Sequence, residues 1–235
     1  MKILILGASG GIGKAFVENY AHDPTHQVIA GYHHHKPLFD AENIRLHQVD
    51  ISDEKQVSAL AQEIDELDIL INAVGFLHDN EFTPEKSTRN LNGPQLIKSI
   101  TINTLPTLLL AKHFVKKFKH KRPAIFATVS ARVGSIEENY LGGWYSYRAS
   151  KAALNQSLKT LSIEWQRNLK NVCVAALHPG TTDTALSKPF QANVPEDQLF
   201  STAQSVSYMR NNVLDNLSPD KTGKFWSFDG ETLPW

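Results

Sequence analysis

Tyr147 and Lys151 stand four residues apart in the segment Gly142-Gly143-Trp144-Tyr145-Ser146-Tyr147-Arg148-Ala149-Ser150-Lys151. On a helix that spacing sets both side chains on one face, one turn apart. A free phenol keeps its proton up to a pKa of about 10. An ammonium within about 4–6 Å favours the phenolate and lowers that value by roughly one to three units. Such a phenol can give a proton to a carbonyl oxygen, or take one from an alcohol, near neutral pH. Tyr145 lies six residues before Lys151 and faces elsewhere. Taken alone, a Tyr-x3-Lys pair is equally well a pair on a helix surface, so its weight depends on what else the chain carries.

It carries a phosphate-binding turn. The apolar run Lys2–Leu6 leads into Gly7-Ala8-Ser9-Gly10-Gly11-Ile12-Gly13. Glycines at 7, 11 and 13 permit a tight turn and close backbone approach to a pyrophosphate, with Ser9, Gly10 and Ile12 beside it. A helix beginning there aims its free N–H groups and positive dipole end at the same phosphates. The strand before and the helix after stand where this mechanism needs them. The spacing is G-x3-G-x-G rather than G-x-G-x-x-G.

The elements that must position these groups follow from the hydrophobic pattern. Apolar runs alternate with amphipathic stretches, as repeated β-α units require. Strands are predicted at Lys2–Leu6, Gln27–Tyr32, Ile44–Val49, Asp68–Ala73, Ala124–Val129, Val172–Leu177 and Phe225–Phe228. Helices are predicted to begin near Gly11, Asp53, Pro94, Trp144 and Thr202. Ile102–Phe118 reads as a helical stretch with a solvated basic face at Lys112, Lys116, Lys117 and Lys119. Two stretches read as loops that could wall a site beyond the strand ends: 76–93, and 181–200, which carries Pro189 and Pro195.

Composition narrows the classes. A chain of 235 residues with 41% hydrophobic content suits one large α/β domain spanning 1–235. Lys plus Arg and Asp plus Glu both number 24, a balance that does not point to nucleic acid or an anionic membrane. Cys173 is the single cysteine, inside the apolar run Val172–Leu177. It reads as an inert core thiol in a reducing compartment. The apolar start of the chain ends in glycines after Leu6, too short for a signal peptide or a membrane span. A cytoplasmic protein is expected.

With these motifs the chain resembles the short-chain dehydrogenase/reductase family over nearly its whole length. The segment around Tyr147 and the short Asp-Gly end are most similar to the C-factor and sniffer-type carbonyl reductase branch. The resemblance implies a doubly wound, Rossmann-type, seven-stranded parallel sheet with helices on both faces. It implies that Asp50 and Ile51 border the adenine, that Asn72, Ala73 and Val74 form the turn after the fourth strand, and that Pro179, Gly180, Thr182 and Thr184 meet the nicotinamide end. It further implies that Asn103 supports a proton-relay water beside Lys151, which binds the nicotinamide ribose, and that Tyr147 transfers the proton. A serine is expected to hydrogen-bond the substrate oxygen. Strand position favours Ser130, followed by Ala131, whereas spacing to the tyrosine favours Ser135. Ser130 is preferred, because a donor at a rigid strand end needs little reorganisation.

The adenosine end is read after the second strand, where Tyr32-His33-His34-His35-Lys36 contains no acid to hold a ribose 2′-hydroxyl. His33 and the positive setting point to NADP(H), with NAD(H) as the lesser alternative. No metal is expected, since consecutive residues of an extended segment alternate faces and converge poorly. The expected activity is NADP(H)-dependent interconversion of a small-molecule carbonyl and alcohol. Leu186, Phe190, Leu199 and Phe200 suggest that 181–200 closes over an apolar moiety. A cofactor-binding signalling protein of the C-factor type is the alternative, but it would have no use for a proton relay. A sugar-nucleotide epimerase would want a larger C-terminal domain. Ala152, Ala153, Leu154, Leu158 and Leu161 give the Tyr-Lys helix a broad apolar surface, from which a homodimer or homotetramer is expected.

Overall fold

Most of the short apolar runs pair into one twisted sheet because they are too hydrophobic to leave either face in water. The structure, a computed structural model, describes residues 1–235. Its strands are β1 (Lys2–Leu6), β2 (Gln27–Tyr32), β3 (Ile44–Gln48), β4 (Ile69–Asn72), β5 (Ala124–Val129), β6 (Val172–His178), β7 (Thr181–Thr182), β8 (Leu199–Phe200), β9 (Lys224–Ser227) and β10 (Thr232–Leu233). The helices are α1 (Gly11–Ala21), α2 (Glu54–Glu63), α3 (Gly93–Asn103), α4 (Leu105–Phe114), α5 (Tyr145–Asn168) and α6 (Thr202–Tyr208). The main sheet runs β10-β9-β6-β5-β4-β1-β2-β3. Strand order reverses between β1 and β4, the place where open α/β sheets bind ligands.

Alternation along each strand builds two cores. On β1, Leu4 and Leu6 face α2, α4 and α5, while Ile3 and Ile5 face α1 and α6. Cys173 lies buried within β6 as expected, and burial pushes its thiol up to about 12. No helix is long and apolar enough to cross a membrane.

The sheet differs from the seven parallel strands expected. An eighth, β10, pairs antiparallel to β9 at the edge, after a reversal at Asp229-Gly230 in which Gly230 adopts φ 92°. The helical stretch expected over Ile102–Phe118 is broken near its start. Thr104 leaves helical geometry at φ −115°, ψ −56°, Pro106 occupies the first turn of α4, and the Thr107 N–H bonds Thr104 O. Proline has no N–H to continue the ladder. The stretch 181–200 is not one open loop either: β7 and β8 pair parallel at its two ends, and 3₁₀ turns fill the interval.

The expectation of assembly loses three of the five residues it was based on, while Ala152 and Ala153 remain partly exposed. Leu154, Leu158 and Leu161 are buried in the chain's own core. What α3, α4 and α5 expose instead are Ile97, Leu105, Leu108 and Ile163.

Candidate active site

A cleft of about 870 Å³ opens at the carboxyl ends of the strands. It is lined by Gly10, Gly11 and Ile12 at one end, by Ser130, Tyr147, Lys151 and His178 at the other, and by Pro179, Gly180, Thr182 and Thr184 between β6 and α6. Ala73 and Val74 complete the floor. The turn motif and the Tyr-Lys pair, 134 residues apart between Gly13 and Tyr147, thus share one cavity.

The glycine turn has the shape that a dinucleotide pyrophosphate needs. Gly7 adopts φ 87°, and a Cβ on Gly13 would come within 2.1 Å of Gly7 O. Gly10, the N-cap of α1, has no side chain to bond the first turn, and that turn holds no acid. Its N–H groups are left to an anion. A Cβ on Gly11 would press on Thr184 and Thr202 across the cleft. These residues therefore fit the cofactor that the sequence motif implies.

The adenosine-end candidates gather outside this cleft, beyond β2 and β3. His33 Nε2 lies 3.6 Å from Asp50 Oδ2, the His33 and His34 ring centroids are 3.5 Å apart, and Ser9 Oγ donates to His35 O at 2.7 Å. The Ile51 side chain is not among them, being buried in the core beside α2. Asn72 is also turned inward: Nδ2 donates to Thr107 Oγ1 and Oδ1 accepts from Val74 N. It shapes the turn that presents Ala73 and Val74 rather than facing the cleft itself.

Helix α5 carries Tyr147 and Lys151 on its buried face, as the four-residue spacing requires. Lys151 Nζ donates to Val129 O at 3.0 Å and stands 5.8 Å from the centre of the Tyr147 ring. Asn103, at the α3–α4 break, accepts from Phe76 N at 2.7 Å and donates to Phe76 O and to Ser150 Oγ, each at 2.8 Å. Its amide thus ties the segment after β4 to the residue next to Lys151. Of the two serines, Ser130 lines the cleft but donates its proton to Asn155 Oδ1 at 2.7 Å. Ser135 does not line it, and its hydroxyl meets Trp235 O and Glu138 N. The alanine at 131 does face the cleft.

Several residues around this helix carried no signal in the sequence. Trp144 precedes α5 with φ 52°, ψ 43°, a left-handed conformation that is rare for a bulky side chain. Its ring contacts Phe190 of the 181–200 segment at 4.9 Å and Tyr147 at 6.2 Å. Glu85, buried in the 76–93 stretch, accepts from Ser146 N and Oγ at the N-terminus of α5, where a carboxylate complements the helix dipole. Arg148 donates to Gly142 O, Gly143 O and Val133 O and so fastens the loop leading into Trp144. Of the apolar candidates in 181–200, Leu186, Phe190 and Phe200 line the cleft and Leu199 does not.

Burial dominates the electrostatics. It raises the Tyr147 phenol above its ordinary value and pushes Lys151 down to about 8. The expected lowering of the phenol by Lys151 is absent from the protein's own groups. Near neutral pH the phenol is protonated and the lysine is still an ammonium.

Comparison with known proteins places the chain in a family. A family model described as short chain dehydrogenase matches residues 1–195. The 1-hydroxy-2-glutathionyl-2-methyl-3-butene dehydrogenase of Rhodococcus sp. (strain AD45) is 30% identical over 244 residues, covering 99% of both chains. The C-signal protein of Myxococcus xanthus is 30% identical over 140 residues, 60% of this chain and 78% of that one. Among solved structures, an NADPH-bound carbonyl reductase from chicken fatty liver superposes with a TM-score of 0.85 at 24% identity, over 100% of this chain and 94% of the other.

The Lys151 ammonium is buried without a carboxylate partner, and that has a measurable consequence. Below about pH 8 the folded protein carries a charge that burial disfavours. Between about 8 and the usual lysine value of 10.5 the folded state has shed that proton while the unfolded chain still binds it, so stability rises with pH. Lys151→Met should therefore stabilise the protein at pH 7 by on the order of 2–3 kcal/mol, with the gain shrinking as pH approaches 10. Thermal unfolding followed from pH 6 to 10 checks this. A variant less stable than the parent at every pH would refute it.

Proposed function

The chain belongs to the short-chain dehydrogenase family, and from that we propose that it is an NADP(H)-dependent oxidoreductase interconverting a small-molecule carbonyl and alcohol, with Tyr147 as the general acid and base. One observation carries this reading: a single cleft joins the glycine turn at Gly10 and Gly11 to the buried Tyr147 and Lys151.

When bound, the dinucleotide supplies or accepts the hydride. Gly7, Gly11 and Gly13 give its pyrophosphate room, and the uncapped N–H groups of α1 hold the charge. Ser9, His33, Asp50 and the backbone at Ile51 border the adenosine. Ala73, Val74, Pro179, Gly180, Thr182 and Thr184 flank the nicotinamide end. Tyr147 keeps its proton until the carbonyl oxygen takes it, because burial has raised the phenol. Lys151, charged at neutral pH and fixed by Val129 O, stabilises the negative charge that develops as the proton leaves. Asn103 is a positioning residue, setting the height of α5 through Ser150. In the opposite direction Tyr147 receives the alcohol proton. Ser130 lines the reacting end and is held by its bond to Asn155. Apolar substrate groups meet Leu186, Phe190 and Phe200.

A protein that only binds cofactor and signals is less well supported. The C-signal match covers 60% of the chain, whereas the full-length relative is a dehydrogenase, and a signalling protein has no need of the buried Tyr-Lys pair. The same reading makes residues 1–235 one cytoplasmic domain that assembles as a homodimer or homotetramer through Ile97, Leu105, Leu108 and Ile163.

The direct test is NADPH oxidation against a panel of aldehydes, ketones and quinones. Tyr147→Phe should lower turnover at least about 10²–10⁴-fold and leave NADPH affinity nearly intact. Parent-like rates in the variant would sink the mechanism. NADPH should be preferred to NADH, because His33, His34 and Lys36 follow β2 without an acid; equal or better kcat/KM with NADH overturns that assignment. Light scattering at micromolar concentration should give a mass of two or four chains, and a monomer would refute assembly.

A further inference from the structure

His178, the last residue of β6, lines the cleft but has been given no role so far. It stands across the ladder from the end of β5: Val129 pairs with Leu177, and Ser130 N donates to Leu177 O at 2.7 Å. That places His178 level with Ser130, one residue beyond the carbonyl that holds Lys151. Its ring lies against Phe228, with centroids 6.3 Å apart, and lines the cleft.

Its tautomer follows from its single hydrogen bond. Arg132 N lies 3.3 Å from His178 Nδ1. A backbone N–H can only donate, so Nδ1 accepts and the proton resides on Nε2. Burial and the neighbouring Arg132 push the imidazole down to about 3, so the ring is neutral. Nε2–H has no protein acceptor, yet it is not one of the polar atoms sealed from solvent without a partner. It is a fixed donor on a residue that lines the cleft.

The hydroxyls that could share this task are committed elsewhere, Ser130 to Asn155 and Ser135 to Trp235 O. Ala131 brings only a methyl group. We propose that His178 is a further catalytic residue, its Nε2–H donating to the oxygen of the same carbonyl that Tyr147 protonates. The assignment rests on the carbonyl–alcohol activity proposed above. A neutral donor suits an oxygen that gains charge as hydride arrives, since it stabilises that charge without giving up its own proton.

Two substitutions separate this role from a structural one. His178→Gln can place an amide N–H near the position of Nε2. His178→Asn can place a carbonyl near Nδ1, keeping the acceptor for Arg132 N while removing the donor to the cleft. With NADPH and the best carbonyl of the panel, His178→Gln should stay within about tenfold of the parent kcat/KM. His178→Asn should fall on the order of 10²-fold, mostly in kcat. NADPH binding, read by fluorescence titration, should be unchanged in both. If Asn is the better replacement, or the two fall equally, His178 serves the fold and the assignment fails. A parent protein that reduces nothing in the panel refutes the activity itself, a distinct failure because it is seen before any variant is compared.

Discussion

Everything at this site depends on the height at which the 24-residue helix α5 sits on the sheet. A shift of one residue along that helix would turn both Tyr147 and Lys151 out of the cleft, since side chains rotate by about 100° per residue. Three kinds of bond fix the height. Lys151 is tied to β5 through Val129 O, Ser150 to the α3–α4 break through Asn103 and Thr104, and the first turn to the 76–93 stretch through Glu85. Each tie is polar and directional, whereas the leucines below, Leu154, Leu158 and Leu161, supply adhesion with little sense of register. Packing holds the helix down and hydrogen bonds decide where.

The same anchoring explains why burial controls the proton chemistry. A phenol and an ammonium withdrawn from water both move toward their neutral forms, one upward and the other downward. The protein tolerates an unpaired ammonium there because Val129 O and a rigid strand end hold it in place. In the proposed mechanism, stability is sacrificed locally for a proton donor and a cation that stay where they are put.

Much of this was legible in the sequence because it is local. The strand–turn–helix around Gly7–Gly13 occupies consecutive residues, and the Tyr147–Lys151 spacing translates directly into one helix face. The β-α alternation located seven of the ten strands to within a residue or so and missed β7, β8 and β10. What escaped was long-range or main-chain in origin. Glu85 and Ser146 are 61 residues apart, and nothing near Glu85 announces that its carboxylate caps a helix. The break at Thr104 lies inside an apolar run whose periodicity survives it, and only Pro106 hinted at it. Leu158 and Leu161 read as surplus because a sequence pattern cannot say how deep a groove receives them. The donor state of His178 depends on a backbone N–H from another strand's extension, which no pattern in its own segment encodes.

The 181–200 segment joins the rest of the cleft chiefly through side chains: Phe190 packs between Trp144 and His78, while the β7–β8 pair closes the segment onto itself. In the proposed reading, the proton-bearing residues lie on α5 and the apolar wall at Leu186 and Phe190 lies on a separate stretch of the chain. Substitutions at Leu186 and Phe190 can remodel the apolar wall without touching the hydrogen bonds that set α5. The apolar wall and the helix that carries Tyr147 meet at one ring, Trp144, which touches Phe190 on one side and Tyr147 on the other, so a change of wall is felt at the tyrosine only through that contact.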